Sequence, residues 1–413
     1  MQHNGGMTSV ALPDANTAPP LLSRRDYVLI LIALAMGGFA IGTSEFATMG
    51  LMPNIARGLA ITEPQVGHLI SAYGMGAVVG APLLAILGGR LQRKPLLLLL
   101  MGFYALGNFA SALAPGYASM LVFRFIAGLP HGAYFGVAAL VAASVSRPEA
   151  RGRAVSLVMM GLTLALLLGN PLATWLGQRM DWRDAFHFVA VIALLTVVLI
   201  AWCLPAHPDA DAPHPLRELR AFNQSQVWLA LGIGAIGFAG MFCVFSYLAP
   251  TLLQVTGVSE AWIPLGLMAF GIGGVIGNIG GGWLFDRLGF RAVGIVLCWS
   301  IIVLLAFPFA AQSLWTVIPA VIAVGTMVAL GPMLQIHLMD VATGAQTLAA
   351  ASHHAAFNVA NALGPWLGGM AITAGLGWTV TGYVGAATAF AGLLIYLWAA
   401  RDIRAARECT ASA

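Results

Sequence analysis

The sequence predicts an all-α membrane protein in which twelve transmembrane helices form two pseudo-symmetric halves of six. Three observations support this fold class: the composition, the number of long apolar segments and an internal repeat. Of the 413 residues, 60% are hydrophobic and only 8% are charged, whereas about a quarter of a soluble domain is charged. The mean hydropathy of +0.88 agrees with this composition. A polytopic membrane protein is therefore expected.

Twelve segments are long enough to be membrane spans, because a helix needs about 20 mostly apolar residues to cross a bilayer. They cover residues 27–50, 66–88, 95–114, 117–145, 154–176, 185–204, 227–250, 262–285, 292–310, 314–338, 347–374 and 378–398. They lack the period-2 alternation that the strands of a membrane β-barrel require. The first segment is longer than the apolar region of a signal peptide, so we expect it to be a retained span.

The basic residues predict the orientation of these spans. Of the 19 Lys and Arg residues, 15 lie in the loops that share a side with the termini, and Arg124 lies inside a span. The opposite loops carry Arg57, Arg179 and Arg183. Since cytoplasmic loops are enriched in Lys and Arg, both termini are expected to be cytoplasmic, in a bacterial inner (plasma) membrane.

The segments also repeat as two sets of six. Arg90 and Lys94 follow the second segment, and Arg287 and Arg291 follow the eighth, 197 residues later. Parallel repeats of this kind occur in transporters that bind substrate between the halves at the membrane midplane. The predicted parts are a disordered cytoplasmic N-terminus (1–23), an N-terminal half (24–204), a cytoplasmic linker (205–226), a C-terminal half (227–400) and a cytoplasmic tail (401–413).

Several function classes are excluded by what the sequence lacks. The basic residues are scattered, whereas a nucleic-acid binder clusters them. The four cysteines lie far apart, which favours neither a disulfide framework nor a zinc site. The pair Gly271 and Gly273 has no preceding strand and no following Lys-Ser/Thr, so an ATP-driven pump is not supported. We expect no cofactor, with a proton gradient as the energy source, and a monomer whose partners are the lipid bilayer and a small-molecule substrate.

Two loops carry a recognisable family motif. The loop after the eighth segment reads Gly282-Trp-Leu-Phe-Asp286-Arg287-Leu-Gly289-Phe-Arg291. It resembles the Gly-x-x-x-Asp-Arg-x-Gly-Arg loop of the major facilitator superfamily, with one residue inserted before the final Arg. In the equivalent first-half loop, Gly89 stands where Asp is expected. The resemblance implies the major facilitator fold and a gating set that consists of Arg90, Arg93, Lys94, Asp286, Arg287 and Arg291. The basic residues of the first-half loop could alternatively pair with helix C-termini or anionic lipid.

The first, fourth, fifth and eleventh spans point to one branch of that superfamily. The first contains Gly-Thr-Ser-Glu45-Phe followed by Met-Gly-Leu-Met-Pro53, and the fourth contains Arg124-x-x-x-Gly-x-x-His131-Gly. These segments resemble the bacterial twelve-span drug:proton antiporters, among them the arabinose/sugar, purine nucleoside and chloramphenicol exporters. In the fifth span, Gly169 and Pro171 resemble the antiporter motif, although Asn170 separates them. The resemblance implies proton-coupled export.

Glu45 and Arg124 are the charged residues that the spans place inside the membrane, where a charge is costly and usually functional or paired. Counted from the ends of their segments, both lie at a similar depth. In the functional interpretation Glu45 takes up a proton and Arg124 tunes its affinity, since a neighbouring cation favours the ionised carboxylate. In the alternative interpretation the two form a structural ion pair.

Other polar residues are candidates for the proton path and the substrate cavity. His131 follows Arg124 by two helical turns, so it is a candidate proton carrier or simply a partner of a backbone carbonyl. His354, Asn358, Asn361 and Pro365 share one face of the eleventh span, which predicts either a substrate-binding face or contacts between helices. Tyr73 and Gln254 are further cavity candidates. Weaker ones are Asn108, Asn278 and Gln335, while His337 and Asp340 are expected at the membrane interface.

The sequence therefore favours a proton-coupled exporter of a small polar or amphipathic solute such as a sugar, nucleoside or drug, working by alternating access. A proton-coupled importer of the same fold is the first alternative. A membrane-embedded enzyme is the second, but the spans contain no HExxH, no GxSxG and no carboxylate pair, so an enzyme is not expected.

Overall fold

The computed structural model describes residues 23–88, 91–147, 150–205, 224–342 and 346–411, and their regular structure is helical throughout. The predicted disordered N-terminus up to residue 22, most of the predicted linker (206–223) and the gating candidate Arg90 lie outside the described residues.

Twelve helical segments have the length of a membrane span, and each coincides with one of the predicted segments. They are α1 (Arg24–Gly50), α2 (Glu63–Gly88), α3 (Arg93–Ala112), α4 (Tyr117–Ser144), α5 (Arg151–Arg179), α6 (Trp182–Cys203), α7 (Ser225–Ser246), α8 (Glu260–Leu288), α9 (Arg291–Ala310), α10 (Leu314–Val341), α11 (Gln346–Thr373) and α12 (Val380–Ala411). Within the described ranges, eleven of these helices are also apolar enough to cross a bilayer, and α11 is the exception. The polar side chains along α11 explain its lower hydropathy, and the predicted all-helical fold is confirmed.

Two short helices continue the first span of each half. Met52–Leu59 follows α1, and Leu248–Gln254 follows α7 after a break at Tyr247, where the sequence predicted one continuous span. Met52 and Ile55 are completely buried, so the chain stays inside the bundle beyond Gly50. Glu45 therefore lies deeper in the protein than its distance from the end of the predicted span indicated.

The internal repeat extends to the packing of backbones. α4 and α10 begin 197 residues apart, at Tyr117 and Leu314, and they also end 197 residues apart. A Cβ atom on Gly76 of α2 would overlap the carbonyl oxygen of Phe125, and one on Gly273 of α8 would overlap the carbonyl oxygen of Ile322. Gly76 and Gly273 are again 197 residues apart, and so are Phe125 and Ile322. Each half thus crosses its second and fourth spans at backbone contact.

The two halves meet along α2–α11 and along α5–α8. On the first line, Ser71 donates a hydrogen bond of 2.7 Å to the carbonyl oxygen of Ala362. On the second, a Cβ atom on Gly271 would lie only 2.6 Å from Cα of Leu167. Leu167 belongs to a π-helical turn, Ala165–Gly169, which we attribute to Pro171, because a proline ring clashes with the carbonyl four residues earlier. The predicted motif residues Gly169 and Pro171 thus lie beside this interface.

Candidate functional site

A cavity of about 140 Å³ lies between the two halves at the centre of the bundle. We call the membrane face at which α1 begins and α12 ends the terminal face. Most of the lining residues on α5, α8, α10 and α11 lie in the part of each helix that is nearer to this face. The lining consists of Phe46, Met159, Leu162, Thr163, Leu166, Met241, Phe270, Asn278, Val328, Gly331, Pro332, Gln335, His353, His354 and Phe357.

Aromatic rings and polar contacts between the halves close the side of the cavity away from the terminal face. The rings of Phe245 and Phe270 stack with their centroids 3.7 Å apart, and Phe46 packs edge-on against Phe245. Beyond them, Arg57 and Glu260 form an ion pair of 2.7 Å across the halves. This hydrogen-bonded pairing raises the pKa of Arg57. Gln178 donates a hydrogen bond of 3.1 Å to the carbonyl oxygen of Glu260.

The cavity wall is largely apolar, with a few neutral hydrogen-bonding groups. Asn278 and Gln335, which the sequence ranked as weaker candidates, line it together with His354 and Thr163. His353 also lines the cavity although the sequence analysis missed it, because it lies one residue off the predicted polar face of α11. Within the described part of the chain, the lining includes no Asp, Glu, Lys or Arg. This chemistry suits an uncharged solute with both apolar and polar parts.

Glu45 lies directly behind the cavity wall, since its neighbour Phe46 is a lining residue. Its side chain is buried, and its Oε1 accepts a hydrogen bond of 2.7 Å from Nδ2 of Asn361. This bond joins α1 to α11 and therefore joins the two halves. The sequence placed both residues inside the bundle, but it gave no indication that they are partners.

Arg124 is also completely buried, yet it is held by the residue next to Glu45. Its guanidinium donates to the Oγ and the carbonyl oxygen of Ser44, over 2.9 and 3.2 Å, and lies 4.3 Å from the centre of the Tyr73 ring. In the described structure no ion pair within 4.0 Å joins Arg124 to Glu45. The alternative of a direct structural ion pair is therefore not what the geometry shows. The cation instead acts on the carboxylate through space.

Two separate sets of hydrogen bonds lie between Ser44 and His131, one ending at the backbone of Tyr104 and one starting at its hydroxyl. Ser44 donates to Asn108, whose amide donates to the Tyr104 carbonyl oxygen over 2.9 Å. The Tyr104 hydroxyl lies 3.2 Å from that of Tyr73, and the Tyr73 hydroxyl lies 3.1 Å from Nδ1 of His131. The partner of His131 is thus a tyrosine hydroxyl rather than the backbone carbonyl of the simpler interpretation. Tyr73, a predicted cavity residue, belongs to the second of these sets and is completely buried.

The predicted polar face of α11 is turned to the bundle interior, with Asn358, Asn361 and Pro365 buried and His354 half-buried, but its members have different partners. His354 lines the cavity and stacks on Phe135. Asn358 donates to the carbonyl oxygen of His354 within its own helix, over 2.9 Å, while Asn361 reaches Glu45. The carbonyl oxygen of Pro365 accepts from the Tyr247 hydroxyl. Only His354 of this face is therefore a lining residue in the described structure.

Two groups of candidates lie away from the cavity. Gln254 is exposed at the end of the short helix after α7, so we remove it from the candidate site. The first five residues of that helix are buried, and only its end reaches the surface. Lys94 donates to the carbonyl oxygens of Ala201 and Leu204 at the C-terminus of α6, which is the capping alternative considered for the first-half loop.

The remaining motif residues surround the ends of helices at the terminal face. Arg93 is the first residue of α3 and Arg291 is the first of α9. Asp286 and Arg287 are exposed near the end of α8, with the Arg287 guanidinium 4.1 Å from the centre of the Trp283 ring. These positions suit a role at the mouth of the bundle.

Known proteins resemble the chain over most of its length. The family model described as Major Facilitator Superfamily matches residues 34–343. The inner membrane transport protein YdhP of Escherichia coli K12 is 38% identical, with 90% of this chain and 96% of the relative covered. The putative transporter AraJ of the same organism is 34% identical over 89% and 94% of the two chains. The chloramphenicol resistance protein of Streptomyces lividans is 32% identical over 82% and 87%.

Solved structures share the fold at much lower sequence identity. A bacterial homologue of the human lysosomal transporter Spinster, in an inward-facing and unoccupied conformation, aligns with a TM-score of 0.74 and 17% identity, over 92% of this chain and 98% of that one. The D-xylose-proton symporter aligns with a TM-score of 0.66 and 16% identity, over 90% and 97%. At these identities the likeness concerns the fold alone.

Proposed function

Since the chain belongs to the major facilitator superfamily of membrane transporters, we propose that it is a proton-coupled exporter of small polar or amphipathic solutes. The observation that carries this proposal is the position of Glu45. It is the one buried carboxylate among the described residues, and it lies at the boundary between the two halves. A carboxylate in a membrane interior is costly, and a conformational change at this boundary alters its surroundings.

Arg124 supplies the second part of the coupling. A nearby cation favours the ionised form of a carboxyl, whereas burial favours the protonated form. Because Arg124 is anchored to Ser44 in the same half as Glu45, its influence stays when the halves move, whereas the burial of Glu45 by α11 of the other half changes. Movement of the halves therefore changes how tightly Glu45 holds its proton.

The cavity supplies the cargo site, and we infer the transport direction from three further points. The excess of basic residues at the terminal face supports a cytoplasmic location of that face, towards which the cavity extends. The first, fourth and fifth spans resemble those of exporters. Two relatives are named for export or resistance: the chloramphenicol resistance protein, and a probable sugar efflux transporter of Helicobacter acinonychis that is 28% identical. Cargo would enter from the cytoplasm as Glu45 releases its proton there, and a proton from the other side would reset the transporter.

The test is transport by purified protein in lipid vesicles with an imposed pH gradient. A panel of sugars, purine nucleosides and chloramphenicol is offered, and accumulation is normalised to folded protein. We expect that the gradient drives transport of at least one compound in the direction opposite to that of the protons. Glu45→Gln should abolish this gradient-driven transport. Glu63→Gln, the same change at a half-buried site near the start of α2, is the matched control.

Two results would contradict the proposal. Gradient-driven transport that persists in Glu45→Gln would remove Glu45 from proton coupling and leave His131 as the next residue to test. Movement of cargo in the same direction as the protons would favour the importer alternative.

A further inference from the structure

Glu45 and Asn361 face each other with four hydrogen-bonding atoms, of which two are used. Nδ2 of Asn361 donates to Oε1 of Glu45. In the part of the chain that the structure describes, the other two atoms, Oε2 of Glu45 and Oδ1 of Asn361, are buried and have no hydrogen-bond partner. When Glu45 is ionised, both of these atoms are acceptors. A buried acceptor without a donor is unfavourable. While Glu45 is ionised, no hydrogen atom is available for a bond between Oε2 of Glu45 and Oδ1 of Asn361.

A proton on Glu45 supplies that hydrogen. The Oε2 hydroxyl then donates to Oδ1 of Asn361, while Nδ2 of Asn361 continues to donate to Oε1. The two planar groups form a cyclic acid–amide pair with two hydrogen bonds. We propose that Asn361 is the positioning residue through which the second half senses whether Glu45 is protonated. The proposal rests on the function proposed above, in which Glu45 carries the coupling proton.

The consequence concerns the contact between α1 and α11. With Glu45 protonated, two hydrogen bonds hold the helices together in the observed state, in which the face opposite the terminal face is closed. When the proton leaves to water on the terminal side, one bond remains and two acceptor oxygens face each other. This weakens the contact between the halves and favours opening of the opposite face.

The groups around Glu45 are consistent with this role. Arg124 on α4 and Tyr73 on α2 are the residues that act on it electrostatically, and Tyr104 on α3 bonds to Tyr73. On α11, His354 lies two helical turns nearer to the terminal face. In the described structure α5 and α6 contribute no buried ionisable side chain. Arg124 stabilises the ionised carboxylate, whereas burial favours the protonated form, and the acid–amide pair adds to the effect of burial.

The chain contains a matched control for Asn361. Asn358 is the same residue type, on the same helix, one turn away and equally buried. Its Nδ2 donates to the carbonyl oxygen of His354 within α11, not to the other half. A general effect of removing a buried amide from α11 should therefore appear in both variants, and loss of the acid–amide pair in one alone.

The experiment measures the distance between the halves and needs no cargo. Spin labels are placed at Met180 and Trp315, which are exposed at the face opposite the terminal face, in the full chain with its four cysteines replaced. Double electron–electron resonance then gives the distance distribution at acidic and at alkaline pH. We expect the parent protein to shift from a short to a longer distance as the pH rises. We expect Glu45→Gln to keep the short distance at both pH values, because a glutamine amide can make both hydrogen bonds.

We expect Asn361→Leu to lose the pH-dependent shift and Asn358→Leu to retain it. Retention in Asn361→Leu together with loss in Glu45→Gln would overturn the role of Asn361 and leave the proposed function intact. Retention of the pH-dependent shift in Glu45→Gln would overturn both the role of Asn361 and the proposed function. Loss in Asn358→Leu as well would show a general effect of α11 and overturn the assignment to Asn361.

Infrared difference spectra provide a second readout that a folding defect cannot imitate. Acidification should produce the carbonyl stretching band of a protonated carboxyl, absent in Glu45→Gln. The band should move in frequency in Asn361→Ser, where a hydroxyl replaces the amide and can make only one of the two bonds, and stay unchanged in Asn358→Ser. An unchanged band in Asn361→Ser would show that the pair does not form.

Discussion

Arg124 on α4 and Glu45 on α1 are buried in the first half, whereas the residues 197 positions later in the second half are Val321 and Phe242. Phe242 packs its ring against Phe238 and Phe357 instead of carrying a charge. The second half thus has an apolar, aromatic interior at the positions where the first half has polar and charged side chains.

The packing of small residues does not differ in this way. The overlap that forces glycine at position 76 is repeated at position 273, and both glycines face a backbone carbonyl oxygen. The comparison shows that, in a repeated structure, the close packing of helices can be kept while the polarity of the interior side chains changes. Both halves need helices that cross closely, but among the described residues a buried carboxylate is present in the first half alone.

The largest effect is expected for Arg124→Leu, which we predict lowers the free energy of unfolding by about 3–5 kcal/mol, since it leaves a buried carboxylate uncompensated. The loss should be greater at alkaline than at acidic pH, because protonation of Glu45 removes the charge that lacks its partner. Denaturant titration of the purified protein measures it. Val321→Thr, at the equivalent position, should cost far less, as a helical Thr hydroxyl can bond the preceding turn. Equal losses would break the comparison between the halves.

The glycine contacts should respond equally in both halves. We expect Gly76→Ala and Gly273→Ala each to lower the free energy of unfolding by about 1–3 kcal/mol, because the added methyl group forces helices apart. Gly282→Ala is the control, since the space around a Cβ atom there is open, and alanine should stabilise that helix by up to about 1 kcal/mol. A clear difference between the two destabilised variants would contradict the equivalence of the two crossings.

Substitutions of cavity residues compare the two halves through smaller effects, on the binding of cargo. Gln335→Leu should raise KM for the compound that the vesicle assay identifies by about fivefold, or about 1 kcal/mol, because a neutral hydrogen bond to cargo is lost. Thr163→Val changes a polar lining residue of the first half and should have less effect, since it removes one hydroxyl rather than an amide with donor and acceptor groups. The reverse ranking would assign cargo recognition to the first half.

The smallest effect is expected for the ion pair across the halves. The side chains of Arg57 and Glu260 are 63% and 37% exposed, so Glu260→Gln should weaken the closed opposite face by about 0.2–1 kcal/mol. The spin-label distances described above would report it, and the effect should shrink at high salt. Arg183→Gln is the control, because that residue's ion pair with Asp181 lies within one half. A loss that salt does not reduce would contradict a screened surface pair.

The sequence predicted the twelve helices well because the length of a mostly apolar segment indicates whether it can cross a bilayer, and α11 was recognised by its length in spite of its lower hydropathy. It predicted that Arg124 lies inside the bundle but not its partner Ser44, since counting residues along a helix gives no information about which neighbours lie around it. It failed for Gln254 because that residue lies beyond the end of the predicted span, where the hydropathy pattern does not show which side chains remain buried. It also missed the bond between Glu45 and Asn361, which are 316 residues apart and meet only when the halves assemble.

The repeated glycine contacts have a consequence for how the sequence can change over time. A side chain that collides with another side chain can be rescued when the second one becomes smaller. At Gly76 and Gly273 the obstacle is a carbonyl oxygen of the main chain, which every amino acid retains. No replacement at Phe125 or Ile322 removes that oxygen, so a genetic screen for suppressors of Gly76→Ala should return reversion to glycine and no change at Phe125.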